Sequence, residues 1–225
     1  MERSRWQRMG RDLLGELVTR YLALVLIAVQ AGVTVAGQPD WIYDIFGLSW
    51  DGILAGRLWQ PFTHALVHGP WWTYWWHLAL NLICLMMVGG RVERIGGARI
   101  LLKTLGAGVL GGAVLQMLSS SVPFPLIGAS GGLFAAMFWL LTIHADDRMW
   151  PVRLKGRNLA IGIFIAEAGI LAAAWMLPGS GLEKIGSGCH LGGAAAGWYL
   201  GRKSLGPRLT KEDLMRERER REGAS

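Results

Sequence analysis

Four side chains with chemical capability stand in otherwise apolar stretches of this chain: Ser130, His190, His77 and Asn81. Polar groups in such surroundings are costly to keep and are functional candidates by default. A serine hydroxyl is a weak nucleophile until a base takes its proton, and the pKa of an imidazole suits that task near neutrality. Attack on an amide then builds negative charge on the carbonyl oxygen. Asn81, His77 and the backbone N–H of Ser130 are of the types that stabilise such a charge. Together the four make a hydrolytic constellation with Ser130 as nucleophile and His190 as general base and acid.

Spacing supports the grouping. Ser130 lies in Gly128-Ala129-Ser130-Gly131-Gly132, just after a turn broken by Pro123 and Pro125. It therefore opens a helix, where free backbone N–H groups and the dipole favour an anion. His77 and Asn81 are four apart and share one helix face. Gly193, Gly197 and Gly201 recur every fourth residue after His190, giving a smooth face that lets two backbones approach closely. Phe134, one turn beyond Ser130, is placed to pack on the imidazole ring. No carboxylate is expected at the level of His190, which predicts a Ser–His dyad rather than a triad.

Each feature alone has a plainer reading. Taken singly, Ser130 reads first as a helix cap and the glycines as plain packing, while His77 with Asn81 serves equally as an interhelical hydrogen-bond pair. Glu167, the only Asp or Glu well inside an apolar stretch, reads as a paired structural carboxylate. His64 and His68 are four apart, but no H-E-x-x-H occurs, and no metal or cofactor is expected. Only the joint pattern favours catalysis.

The elements that must carry these residues follow from charge and hydropathy. Of 225 residues 52% are hydrophobic, and the 39 charged residues are unevenly placed: positions 1–20 and 202–225 hold 21 of them. The segment between has about one charge in ten residues, against about one in four for soluble domains. That excludes a soluble globule, a disordered chain and a disulfide-knotted domain. Cys84 and Cys189 form no disulfide framework. The net charge of +7 flanks apolar stretches without forming a stripe, so nucleic acid is not an expected partner and a lipid bilayer is.

An apolar helix needs about 20 residues to cross the hydrocarbon. The predicted spans are Tyr21–Gly37, Trp76–Gly90, Ile100–Ser119, Ser130–Ala145, Asn158–Leu177 and Ile185–Gly201. Lys and Arg counts over 1–20, 38–75, 90–103, 119–129, 144–157, 178–189 and 202–225 run 5, 1, 4, 0, 4, 1 and 8. This alternation is what six spans with both termini cytoplasmic require. The expectation is an all-α, six-helix transmembrane bundle at 21–201, with an N-terminal cytoplasmic segment at 1–20 that reads as no cleavable leader and a charged tail at 202–225. At about 1.5 Å rise per residue, the four polar residues converge about 15–22 Å above the cytoplasmic boundary, in the outer half of the core. The connection 38–75 with Trp76 holds seven of the twelve tryptophans, which suits the outer interface.

These residues resemble the rhomboid intramembrane serine proteases. The likeness runs from about Arg57 to Leu200. It is carried by Phe62-Thr63-His64-Ala65-Leu66-Val67-His68, His77-Leu78-Ala79-Leu80-Asn81, Gly89-Gly90-Arg91-Val92-Glu93-Arg94-Ile95-Gly96, Gly128-Ala129-Ser130-Gly131 and His190-Leu191-Gly192-Gly193. The resemblance implies a six-helix bundle with Ser130 as nucleophile, His190 as base, and His77 and Asn81 lining the oxyanion site. It also implies hydrolysis without metal or cofactor, and transmembrane segments of single-span proteins as substrates. Three departures accompany it. Trp59 is followed by Gln60 and Pro61 rather than Arg, four extra residues lie between His68 and His77 relative to the commonest spacing, and Phe134 stands where Tyr is common. A non-catalytic membrane-protein binder or chaperone is the alternative, and a bacterial plasma membrane with the site toward its outer face is the expected location.

Overall fold

The computed structural model describes residues 16–119, 125–149 and 151–206. Most of the N-terminal segment, the middle of the Pro-broken turn and most of the charged tail lie outside them. So do the side chains of 71–74, within the Trp-rich stretch.

The chain is mostly helical. Helix α1 is Leu17–Val35, followed by three short helices in the long connection: α2 Asp40–Phe46, α3 Trp50–Leu54 and α4 Gln60–Thr63. Helix α5 is Trp71–Cys84, and a π-helical turn Leu85–Gly89 leads into α6, Gly90–Ser119. Helix α7 is Ser130–Ile143, and a two-stranded hairpin (β1 Arg148–Met149, β2 Leu154–Lys155) precedes α8, Gly156–Met176. A 3-10 turn at Leu182–Ile185 introduces α9, Ser187–Ser204. Among the described residues three helical stretches are long and apolar enough to cross a membrane, Leu17–Val35, Trp75–Ser119 and Gly156–Met176, and Ser130–Ile143 is a shorter apolar helix.

Boundaries differ from expectation in two informative places. The second apolar helix begins at Trp71, five residues before the predicted start, because no Gly or Pro interrupts Trp71–Cys84 once Pro70 has set the entry. Four tryptophans assigned to the connection or its edge thus belong to a helix. The segment predicted to separate the second and third spans is itself helical, and the break narrows to Gly97, whose φ of +81° only glycine adopts freely.

The centre is built by α6, α7 and α9. A Cβ on Gly193 or Gly197 would collide with the backbone of Gly131 or Ala135 on α7, and one on Gly112 would meet Cys189. Small residues therefore set the distance between these helices, as they must where lipid supplies no hydrophobic drive for helix association. Below this junction Val92, Leu101, Ala136, Trp139, Leu140 and Leu141 form a buried cluster. Glu93 fixes α1 to the bundle by accepting from the backbone N–H groups of Val18 and Thr19 at 3.0 and 2.8 Å and from the Thr19 hydroxyl at 2.7 Å. An acidic side chain at a helix N-terminus meets both free donors and the positive dipole end. Helix α8 is the outlier: Gly156 is its only buried residue.

Candidate active site

Ser130 and His190 meet at the top of the glycine junction. The Ser130 Oγ lies 2.9 Å from His190 Nε2, at hydrogen-bond distance. Two local features produce this contact. Gly128 takes φ of +109° and turns the chain into α7, while its N–H donates to the His64 carbonyl at 2.8 Å. On the other side, Gly186 in the left-handed region ends the 3-10 turn and starts α9, so His190 falls in the first turn. Gly131 and Gly193 then allow the backbones to close to contact.

Phe134 stacks on the His190 ring with centroids 4.1 Å apart and planes 5° from parallel. This holds the plane of the imidazole. His77 lies against Gly128: a Cβ there would sit 2.5 Å from His77 Nε2. His68 is a further neighbour, with ring centroids 5.0 Å apart. Asn81 is buried and donates through Nδ2 to the His77 carbonyl at 2.7 Å, which leaves a second N–H of that amide available. His77, Asn81, Ser130, Phe134 and His190 all line one cavity of about 980 Å³, whose wall also includes Trp50 and Gly186. Gly128, Gly131 and Gly193 shape its base by close approach rather than by side chains.

The expectation that no carboxylate shares the level of His190 is wrong. Glu167 of α8 turns inward, and its Oε1 lies 3.0 Å from His190 Nδ1. Both side chains are mostly buried, at 13% and 12% exposure. The sequence did carry a signal. Counting from the start of α8, Glu167 lies 11 residues in, or about 16 Å along the axis, the level assigned to Asn81 and His190.

The connection before α5 also has internal order. Gln60 is fully buried, donates to the carbonyl of Asp44 at 2.8 Å and accepts from the Ser49 N–H at 3.2 Å. Arg57 reaches the same Asp44 carbonyl at 2.7 Å. Two residues, Gln60 and Arg57, thus tie this loop through one carbonyl. Trp50 and Trp59 bond their indole N–H groups inward, to the carbonyls of Met117 and Ile45, and leave their rings half exposed. Their outward faces are apolar, as an interfacial loop requires. Burial holds the His64 imidazole down to about 4. His68 is held to about 3, first by burial and then by the neighbouring His77.

A serine and an imidazole stand in contact beside a donor-bearing wall in a bundle of apolar helices. Residues 55–206 match the family model described as Rhomboid domain. The chain belongs to the rhomboid family, and it is a membrane protein. It is 31% identical over 156 residues to "Rhomboid protease GluP" of Bacillus subtilis (strain 168), a match covering 68% of this chain and 28% of that protein. It is 28% identical over 214 residues to "RHOMBOID-like protein 12, mitochondrial" of Arabidopsis thaliana, covering 85% of this chain and 61% of the relative. The chain thus spans less than two thirds of the length of either relative.

Proposed function

We propose that this protein is an intramembrane serine endopeptidase that hydrolyses a peptide bond in or near the transmembrane segment of single-span membrane proteins. The observation that carries this reading is the 2.9 Å approach of Ser130 Oγ to His190 Nε2. His190 takes the serine proton as Oγ attacks the scissile carbonyl, then delivers it to the leaving amine. The developing oxyanion is held by the backbone N–H of Ser130, free at the start of α7, with His77 and Asn81. Water then hydrolyses the acyl-enzyme, with His190 again accepting a proton. Gly128, Gly131 and Gly193 keep the two helices close, and Phe134 keeps the ring in plane.

The substrate follows from the setting. Amides in a helix are bonded internally, so a segment must unwind before Ser130 can reach one, which favours Gly and other helix-weakening residues at the cut. Helices α1, α5, α6, α7, α8 and α9 act as six spans of one bundle, with both termini cytoplasmic and the cavity open toward the outer face of a bacterial plasma membrane. The reaction draws on protein groups alone, without metal or cofactor, and the partners are transmembrane substrates and the bilayer.

Fluorophosphonate labelling of the wild type beside Ser130→Ala, in detergent, tests the reading. Labelling of the wild type alone is expected, because only an activated serine reacts. An unlabelled wild type would favour the non-catalytic binder that uses the same cavity.

A further inference from the structure

The Glu167 carboxylate faces the ring nitrogen that the Ser–His pair leaves unused. His190 Nε2 is committed to Ser130, and Nδ1 has Oε1 of Glu167 at 3.0 Å but no aligned hydrogen bond. The carboxylate lies off the N–H axis, a looseness common at catalytic bonds before substrate tightens them. Phe134 fixes the plane of the imidazole through stacking, but a stacked ring can still carry its proton on either nitrogen. A neutral imidazole protonated on Nε2 cannot accept from serine. Something at Nδ1 must select the other tautomer, and second partners of histidine commonly do this.

The surroundings of Glu167 argue that its inward turn is specific. Helix α8 directs its bulk outward: Phe164 and Ile165 are 45% and 64% exposed, and only Gly156 is fully buried. An acidic side chain within an apolar helix is among the costliest to insert. Here it is turned in against α9, beside the buried Ser187 one turn before His190. The group it meets there is the distal nitrogen of the proposed base.

We infer that Glu167 is a positioning residue: its carboxylate accepts the Nδ1–H of His190, fixes the tautomer that presents a Nε2 lone pair to Ser130, and makes the pair a Ser–His–Glu relay. This rests on the serine-protease reading and deepens it. In the acylation step the Ser130 proton moves to Nε2 as the Oγ–carbon bond forms. The imidazolium stands beside an ionised Glu167, and the proton then passes to the leaving nitrogen as the peptide bond breaks. Glu167 stays ionised throughout and exchanges no proton.

The experiment compares wild type, Ser130→Ala, Glu167→Gln and Glu167→Ala in detergent. It reads kcat and KM on a fluorogenic transmembrane peptide, the rate of fluorophosphonate labelling, and the thermal midpoint. Glu167→Gln is expected to lower kcat and the labelling rate together by about 10- to 1000-fold, with KM within about threefold and the midpoint unchanged. In Glu167→Ala, added formate should restore labelling at least about fivefold over chloride at equal ionic strength, since a small carboxylate can occupy the vacated place. Labelling and kcat within about twofold of wild type in Glu167→Gln would overturn the inference. So would a loss confined to KM, or a loss that tracks a lowered midpoint and is not repaired by formate. Those results leave the serine-protease reading standing, whereas a wild type that fails to label would sink that reading and this one with it.

Discussion

Helices α8 and α9 are neighbours in sequence and in space, yet they are built to opposite rules. Helix α9 is lined with glycine and alanine and presses backbone to backbone on α6 and α7, with Gly188, Gly192, Gly193 and Gly197 all buried. Helix α8 carries larger apolar residues, buries only Gly156, and leaves a cavity of about 610 Å³ between itself, α7 and α9. Its two interior glycines, Gly162 and Gly169, have nothing within 4 Å of where a Cβ would stand. The contrast teaches how a reactive pair is held. Ser130 and His190 come from the pair of helices held backbone to backbone, and Glu167 comes from the loosely packed one.

The largest expected effect is at the pair itself. Ser130→Ala should abolish cleavage of a transmembrane substrate while leaving the detergent melting curve intact, and His190→Asn should do the same. Full cleavage by either variant would break the assignment. Next come the packed glycines. Gly197→Val should destabilise the bundle by about 3 kcal/mol or more, since overpacking costs about 1–3 kcal/mol even where side chains can move and here the obstacle is the Ala135 backbone. Denaturation in mixed micelles measures it, and a neutral outcome would mean that α7 and α9 are not rigidly apposed.

Acid should loosen the close-packed side through the connection that braces it. His64, whose carbonyl holds Gly128, and His68 have native pKa values of about 4 and 3 against an ordinary 6.5. The unfolded chain therefore binds protons first. The stability these residues contribute is whole above pH 6.5, falls as pH drops below it, and is gone below about 4 for His64 and about 3 for His68. The slope should be about 1.4 kcal/mol per pH unit per histidine. A pH series of unfolding midpoints reads this, and His64→Gln should flatten it. Smaller still, Phe134→Ala should slow cleavage by about tenfold or less by freeing the imidazole plane, with the loss in kcat rather than KM. The least change is expected on α8. Gly162→Ala and Gly169→Ala should leave activity as it is and alter stability by less than about 1 kcal/mol, in the stabilising direction. A large loss there would erase the distinction between the two helices.

Much of this was legible in the linear chain because bilayer physics writes itself into composition. Helix length, charge alternation and the level of each polar residue follow from hydrocarbon thickness and a fixed rise per residue. Ser130, His190, His77 and Asn81 could be grouped on that basis alone, and the structure lines one cavity with all four. Glu167 was visible by the same count, but level does not reveal azimuth. Whether a side chain points to lipid or to a neighbour depends on how its helix is rotated. Gln60 shows the same gap, for its bonds to Asp44 and Ser49 join residues 16 and 11 positions apart, which no local pattern announces.

What the amino-acid order determined by itself is which helices form and how far along each one its polar groups stand, since those depend on residues close in the chain. What only the tertiary structure decided is which nitrogen of His190 meets which oxygen. The 2.9 Å contact to Ser130 and the 3.0 Å contact to Glu167 are set by the rotation and separation of three helices. Those quantities arise from the sum of many glycine-lined contacts and are carried by no single segment.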